Sequence, residues 1–459
     1  MPRTWTTLSA AAVPILFTFC ALVDAGVAQG VEPYPQAVTD RLIHQETPMS
    51  PPPVNVVFTD PDFHSQMVRA TDPTTNFRLP DTFLRTEGDG MGNEWSADDS
   101  KFYVLGKGGQ LLAFAFDPAT MAINPLPNAG GRGLLLPMRQ GTFSFVDPDL
   151  IYGTTNRDPL TIKSYRFSTG VSTPVIDTRT CGVQPPLGTG PSVVSDDDVS
   201  LSLDDSRISI SEGGPQFGKD MFVVVYDKAL GCRWYNTQTG QIGGQWGATG
   251  HASVATPYLV RHAHLSRDGK YAVISVNWFG WYVWDLSTLN VTACAEASKL
   301  ECDGYGALGY STKINGPGVL GDMQTVKRPL NNLSQFTQLY YPLPSPGNWG
   351  QSQHFSWNNI DVNDSAPICG STYSYDGDPG IDQPYAGEIF CIETDGQAST
   401  IWRFAHNRAT YISPFFQTQP SGTVSRDGRF FMFTSDWDAQ LGLGSDGKPR
   451  SDVFIVKLE

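Results

Sequence analysis

A short turn signature, repeated at a fixed interval, constrains this chain more than any other feature. Four segments share it: Ser96-Ala-Asp98-Asp-Ser-Lys-Phe-Tyr-Val, Ser202-Leu-Asp204-Asp-Ser-Arg-Ile-Ser-Ile, Ser266-Arg-Asp268-Gly-Lys-Tyr-Ala-Val and Ser425-Arg-Asp427-Gly-Arg-Phe-Phe-Met-Phe. Each reads as a strand end, a tight turn and a new strand. The Asp side chain bonds nearby backbone amides, and the fourth position holds Gly or Asp, which tolerate positive φ. Weaker copies begin at Ser144-Phe-Val-Asp147 and Ser356-Trp-Asn-Asn. Ser96 to Ser202 spans 106 residues, twice 53, and Ser266 to Ser425 spans 159, three times 53. A unit of that length cannot bury its own apolar face and must stack on its neighbours.

Between the signatures run alternating strands such as Leu111-Leu-Ala-Phe-Ala-Phe116 and Trp281-Tyr-Val-Trp284, closed by Asp-Pro or Asp-Leu-Ser turns, and helical periodicity is nearly absent. The fold class expected is all-β, a β-propeller of seven four-stranded blades, one of them without the signature around residues 304–343. Closure is expected where a strand near Met67-Val-Arg-Ala70 completes the blade formed by residues 430–434 and 453–458. About 430 residues exceed a single core, but closed repeats escape that ceiling because each unit adds its own. The hairpin resembles the WD40-like repeat of bacterial TolB-type propellers, and residues 425–437 resemble the last blade of such exported proteins. That resemblance implies the fold and says little of function, since the repeat serves scaffolds, peptidase-associated propellers and polysaccharide lyases alike.

Arg3, an apolar run from Ala10 to Val23 and the small residues up to Ala28 read as a signal peptide, residues 1–28. An extended segment, 29–52, and the propeller domain, 53–459, follow. No later stretch reaches the ~20 apolar residues of a membrane helix, so a secreted or periplasmic destination without membrane insertion is expected. Cys20 leaves with the leader, and the remaining six cysteines are expected to form disulfides in sequence order: Cys181–Cys232, Cys294–Cys302 and Cys369–Cys391. A net charge of -15 argues against nucleic acid as a partner. A monomer binding a polysaccharide or another extracytoplasmic ligand is the expected state.

In a propeller the innermost strand of each blade lines the channel, and the residue two before the motif serine lies on it. Those positions are Glu94, Thr142, Ser200, His264, His354 and Thr423, so two of the seven histidines fall in one register. His262 lies two residues further back and faces the same way as His264. Gln351, Gln353, Gln417 and Gln419 stand near other inner-strand starts. Imidazole with carboxylate or amide oxygen suits a divalent ion, manganese or zinc. The set expected to hold it is His262, His354, Glu94 and Gln353.

The arrangement is similar to that of oligogalacturonate-type lyases, which place histidines and a glutamine around a metal in a seven-bladed propeller, although no single Q-x-x-H-x-H run is present. The resemblance implies β-elimination on a uronic-acid sugar. Arg261 or the metal would neutralise the substrate carboxylate, His264 would take the adjacent proton, and Tyr310 would protonate the leaving oxygen.

Plainer meanings stand beside these. His-x-His beside a channel more often bonds water and backbone, and Glu94 equally reads as an acceptor for a neighbouring inner strand. Asp196-Asp-Asp198 lacks the spacing of a calcium loop, and the Trp278, Trp281, Tyr282 and Trp284 cluster more often packs between blades than stacks on sugars. Two functions follow: a secreted, metal-assisted polysaccharide lyase, or a non-catalytic propeller that binds glycan or protein.

Overall fold

The computed structural model describes residues 33–87, 92–127, 133–183, 199–213, 220–254, 258, 260–276, 280–294, 306–315, 325–340, 351–357, 360–374, 383–394, 400–411 and 415–459. Seven antiparallel sheets, each built on four strands, form the ring of a seven-bladed propeller. Blade one runs from a short inner piece, where Trp95 bridges Phe102, outward through Gln110–Asp117. The inner strands of blades two to seven are Arg139–Phe143, Ser200–Leu201, His262–Leu265, Ala307–Leu308, Gln351–Ser356 and Gly422–Val424. Blade five, whose described strands run from residue 307 to 340, is the one without the signature.

The ring closes as expected. Gln66–Arg69 pairs with the last strand, Asp452–Lys457, with Met67 opposite Val456 and Val68 opposite Ile455. Met67 and Val68 have no exposed surface, so closure buries apolar side chains as well as satisfying a strand edge.

The repeated signature builds one turn four times. The serine hydroxyl donates to the Asp carboxylate two residues on, at 2.8 Å in Ser96, 2.7 Å in Ser202, 2.6 Å in Ser266 and 2.9 Å in Ser425. The same oxygen accepts the amide five residues ahead, at 2.9 to 3.1 Å. The fourth residue is left-handed in every copy, with φ 57° at Asp99, 55° at Asp205, 68° at Gly269 and 77° at Gly428. Where it is Asp rather than Gly, the carboxylate reaches back to the preceding blade. Asp99 accepts the amides of Arg426 and Asp427 at 2.7 and 3.0 Å, and Asp205 accepts Phe145 N at 3.0 Å and Ser144 Oγ at 2.5 Å. Asp364, also left-handed, ties blade six to blade five through Tyr310 N, Ser311 N and Thr312 Oγ1.

Aromatic side chains fill the spaces between blades. Phe116 of blade one meets Trp95 at 5.4 Å and Phe430 of blade seven at 5.0 Å. Trp281 and Trp284 are buried, the latter under the Arg233 guanidinium, while Tyr282 stacks on Tyr258 at 4.2 Å. The described members of that cluster therefore serve packing; Trp278, like Asp196 to Asp198, residues 1–28 and Cys302, lies outside the described residues.

Two of the expected disulfides are present. Cys181–Cys232 joins the end of blade two to blade three, and Cys369–Cys391 links directly paired residues of blade six. Cys294 is also disulfide-bonded. Residues 34–44 run along the outside of blade six, where Tyr34 packs on Trp402 and Phe404 and Val38 bridges Arg403.

Candidate functional site

One end of the ring is closed. Phe145, Arg267 and Arg426 come from the turns of blades two, four and seven, which are not neighbours and can meet only near the axis. Arg267 and Arg426 place their guanidinium carbons 4.5 and 4.7 Å from the Phe145 ring centre, and Arg426 Nη2 also donates to Phe145 O at 2.8 Å. The candidate site therefore lies at the other mouth, where the inner strands begin.

The expected residues lie along those strands in a pattern set by alternation. Thr423 Oγ1 reaches forward from blade seven to Glu94 of blade one at 2.8 Å. His354, in the same register, stacks on Tyr373 with ring centres 5.5 Å apart and planes at 17°. Its Nε2 lies 3.3 Å from Tyr373 Oη, which in turn accepts Gln419 Nε2, leading into blade seven, at 2.5 Å. The register thus turns Thr423 toward the next blade and His354 toward the segment that leads into it, and His262 and His264 share one face of the blade-four inner strand. Both are buried, with ring centres 5.6 Å apart.

Gln353, one residue from His354, points the opposite way. Its Nε2 donates to Thr325 Oγ1 of blade five at 3.3 Å, and its buried Oε1 has no partner among the described residues. Gln353 thus reaches back to blade five, whose described inner strand has two residues.

His354 and Glu94 are turned elsewhere, so the structure does not gather His262, His354, Glu94 and Gln353 around one point. Glu94 Oε1 accepts the Glu87 amide while Oε2 takes Thr423. Burial, then the charge of Glu87, push the Glu94 carboxyl up to about 8. Arg261 precedes the blade-four inner strand, its amide bonded to Ser275 O at 2.9 Å and its side chain half-buried. Tyr310 lies in the blade-five turn, where its carbonyl accepts Asp268 N at 2.9 Å, at the closed end of the channel and away from His262.

Tyr373 was not anticipated from the sequence. A tyrosine on a second strand normally packs in a core; the available signal was the polar run Ser371-Thr-Tyr-Ser374 in a strand that elsewhere would be apolar. What the arrangement can do is hold a proton at a defined place. Gln419 donates to the phenol oxygen, which leaves the phenol hydrogen for His354 Nε2.

No protein-family model matches the chain, and no curated protein is similar to it in sequence. Solved structures are similar to it. An oligogalacturonate lyase from Vibrio parahaemolyticus superimposes with a TM-score of 0.53 at 12% identity, over 88% of this chain and 96% of that one. An oligogalacturonate lyase in complex with manganese gives 0.53 at 13% identity, over 90% and 99%. The likeness is one of fold. Over that share of its length the chain has the propeller architecture of those lyases, and at such identity no side-chain role is transferred.

Proposed function

We propose that this protein is an exported polysaccharide lyase that cleaves a uronic-acid chain by β-elimination at the open mouth of its channel. The observation that carries the reading is the line from half-buried Gln419 to buried Tyr373 and His354, a tyrosine hydroxyl hydrogen-bonded to an imidazole of an inner strand. Such a pair moves a proton at a fixed position, which β-elimination requires twice. Arg261 would bind and orient the sugar carboxylate, and His264 would remove the proton from the carbon beside it. As the carbon–oxygen bond breaks and the double bond forms, Tyr373 would give its proton to the leaving oxygen, and the phenolate, held by the Gln419 amide, would take a proton back from water while His264 releases the one it removed. Disulfides in described blades and the amino-terminal leader pattern support export. No helix among the described residues is long and apolar enough to cross a membrane.

His262 and His264 of blade four, with the Oε1 of Gln353, offer donors that fit an ion of the manganese or zinc class. Such an ion, when bound, would draw charge from a substrate carboxylate.

The test is incubation of the purified chain with oligogalacturonates and related uronans. Accumulation of ultraviolet-absorbing unsaturated products that stops with Tyr373→Phe supports the reading. Saturated products would make the protein a hydrolase, and saturable binding without turnover would make it a binding propeller.

A further inference from the structure

A second gathering of ligand atoms lies far from the channel, on the outer rim of blade six. Asp60 and Asp62 come from the loop between Val57–Thr59 and Gln66–Arg69, and His406 ends the outermost strand, Ile401–His406. One ligand atom from each lies within 4.8 Å of the others, and Asp60 and His406 are only 1% and 2% exposed. This group is independent of the reading above.

The bonds of His406 are what make the group more than a cluster of acids. Its Nε2 lies 3.1 Å from the backbone oxygen of His44, an atom that can only accept, so Nε2 carries a hydrogen. In the neutral ring Nδ1 is then a lone pair, and it lies 3.1 Å from Oδ2 of Asp62, a second acceptor. Two acceptors at that distance need a proton or a metal ion between them. A proton on Nδ1 would serve that pair and leave the Asp60 carboxylate, held by the amides of residues 62, 63 and 406, as a further buried negative charge. Among the described residues no ion pair joins Asp60 to a guanidinium. Arg403 is matched to Glu388 and Asp40, and Arg408 to Glu46 and Asp438.

We propose that Asp60, Asp62 and His406 bind one divalent ion of the zinc or manganese class. Ligand distances of about 2.1 Å place neighbouring donors on the order of 3 Å apart, which is the spacing of His406 and Asp62. An imidazole among the donors favours such an ion over calcium or magnesium. The outer partners a metal site needs are already in place. The His44 carbonyl orients the His406 ring, Thr47 donates to Asp62 from N at 2.9 Å and from Oγ1 at 2.6 Å, and the amides of residues 62 and 63 donate to Asp60 Oδ1 at 2.9 Å. The ion staples the segment around His44 and Thr47 to blade six, directly ahead of the strand that closes the ring.

The experiment is calorimetric titration of the chelator-stripped, full-length secreted chain with zinc chloride and with manganese chloride alone. It compares the unaltered protein with Asp62→Asn, His406→Gln, Thr47→Ala and His262→Ala, each first shown to match it in metal-free melting temperature. A saturable binding event is expected that disappears in Asp62→Asn and His406→Gln, weakens about tenfold in Thr47→Ala and persists in His262→Ala, which removes any second event due to the channel donors. The bound ion should also protect residues 33–62 from proteolysis. Should His406→Gln not fold, Asp62→Asn decides. Absence of binding by either metal, a stoichiometry in Asp62→Asn equal to that of the unaltered protein, or binding lost only in His262→Ala would overturn the proposal. The last result would still leave the channel donors as a metal site.

Discussion

Arg426 of blade seven and Phe145 of blade two meet across the ring, joined by a hydrogen bond from Nη2 to the Phe145 carbonyl at 2.8 Å and by the guanidinium 4.7 Å from the ring centre. Arg267 of blade four lies over the same ring. Two guanidiniums sharing one phenyl ring need compensation, and the carboxylates of Asp99 and Asp205 provide it for Arg426, whose pKa burial nevertheless lowers to about 10. Phe145→Ala removes the surface both cations cover. It should lower stability by about 3 kcal/mol, in the range of large-to-small substitutions at buried aromatics, read as a lower urea midpoint at unchanged slope.

Glu94 makes stability fall with rising pH. Its folded pKa is raised from 4.5 to about 8, so between those values the native protein holds a proton that the unfolded chain has released. Stability is therefore highest below the unfolded value, declines across this window and levels off above it. Glu46, raised to about 8, and Asp99, raised to about 7, act in the same direction. Glu94→Gln keeps an oxygen for the Glu87 amide and turns its NH2 to the Thr423 hydroxyl, which can rotate to accept. Denaturation curves at pH 5 and pH 8 should differ less in this variant than in the parent.

The two described disulfides should differ in worth. Cys181–Cys232 closes a loop of 51 residues and Cys369–Cys391 one of 22. Loop-closure entropy favours the longer by about 0.7 kcal/mol, and only that bridge spans two blades. The double alanine variant of Cys181 and Cys232 should melt lower than that of Cys369 and Cys391 in parallel thermal scans.

Tyr373→Phe tests the proton line at the open mouth. It removes one oxygen and keeps the stacking on His354, so folding should be retained. Loss of a general acid costs roughly 100-fold or more in turnover; kcat is expected to fall while KM changes little, and the pH–rate profile should lose its alkaline limb. A parallel fall in melting temperature would instead mark Tyr373 as packing.

The channel site was legible only in part. His262, His264 and His354 could be placed on inner strands because the motif serine marks each register, and that placement holds. Their convergence could not be read, because a position shared by several blades meets different partners in each. His354 therefore meets Tyr373 and Gln419 while Gln353, its neighbour, meets Thr325. The Asp60, Asp62 and His406 group, with more than 300 residues between its parts, left no local pattern at all.

By itself the sequence determined the repeat, its turn chemistry and the closing strand, because a Ser-x-Asp turn and an apolar alternation act over a few residues and recur. Only the tertiary structure decided which end of the ring is sealed and which polar side chains meet. Arg426 and Phe145, Tyr373 and His354, and Asp62 and His406 come together through the angular step between blades, a long-range consequence of packing that no local spacing encodes.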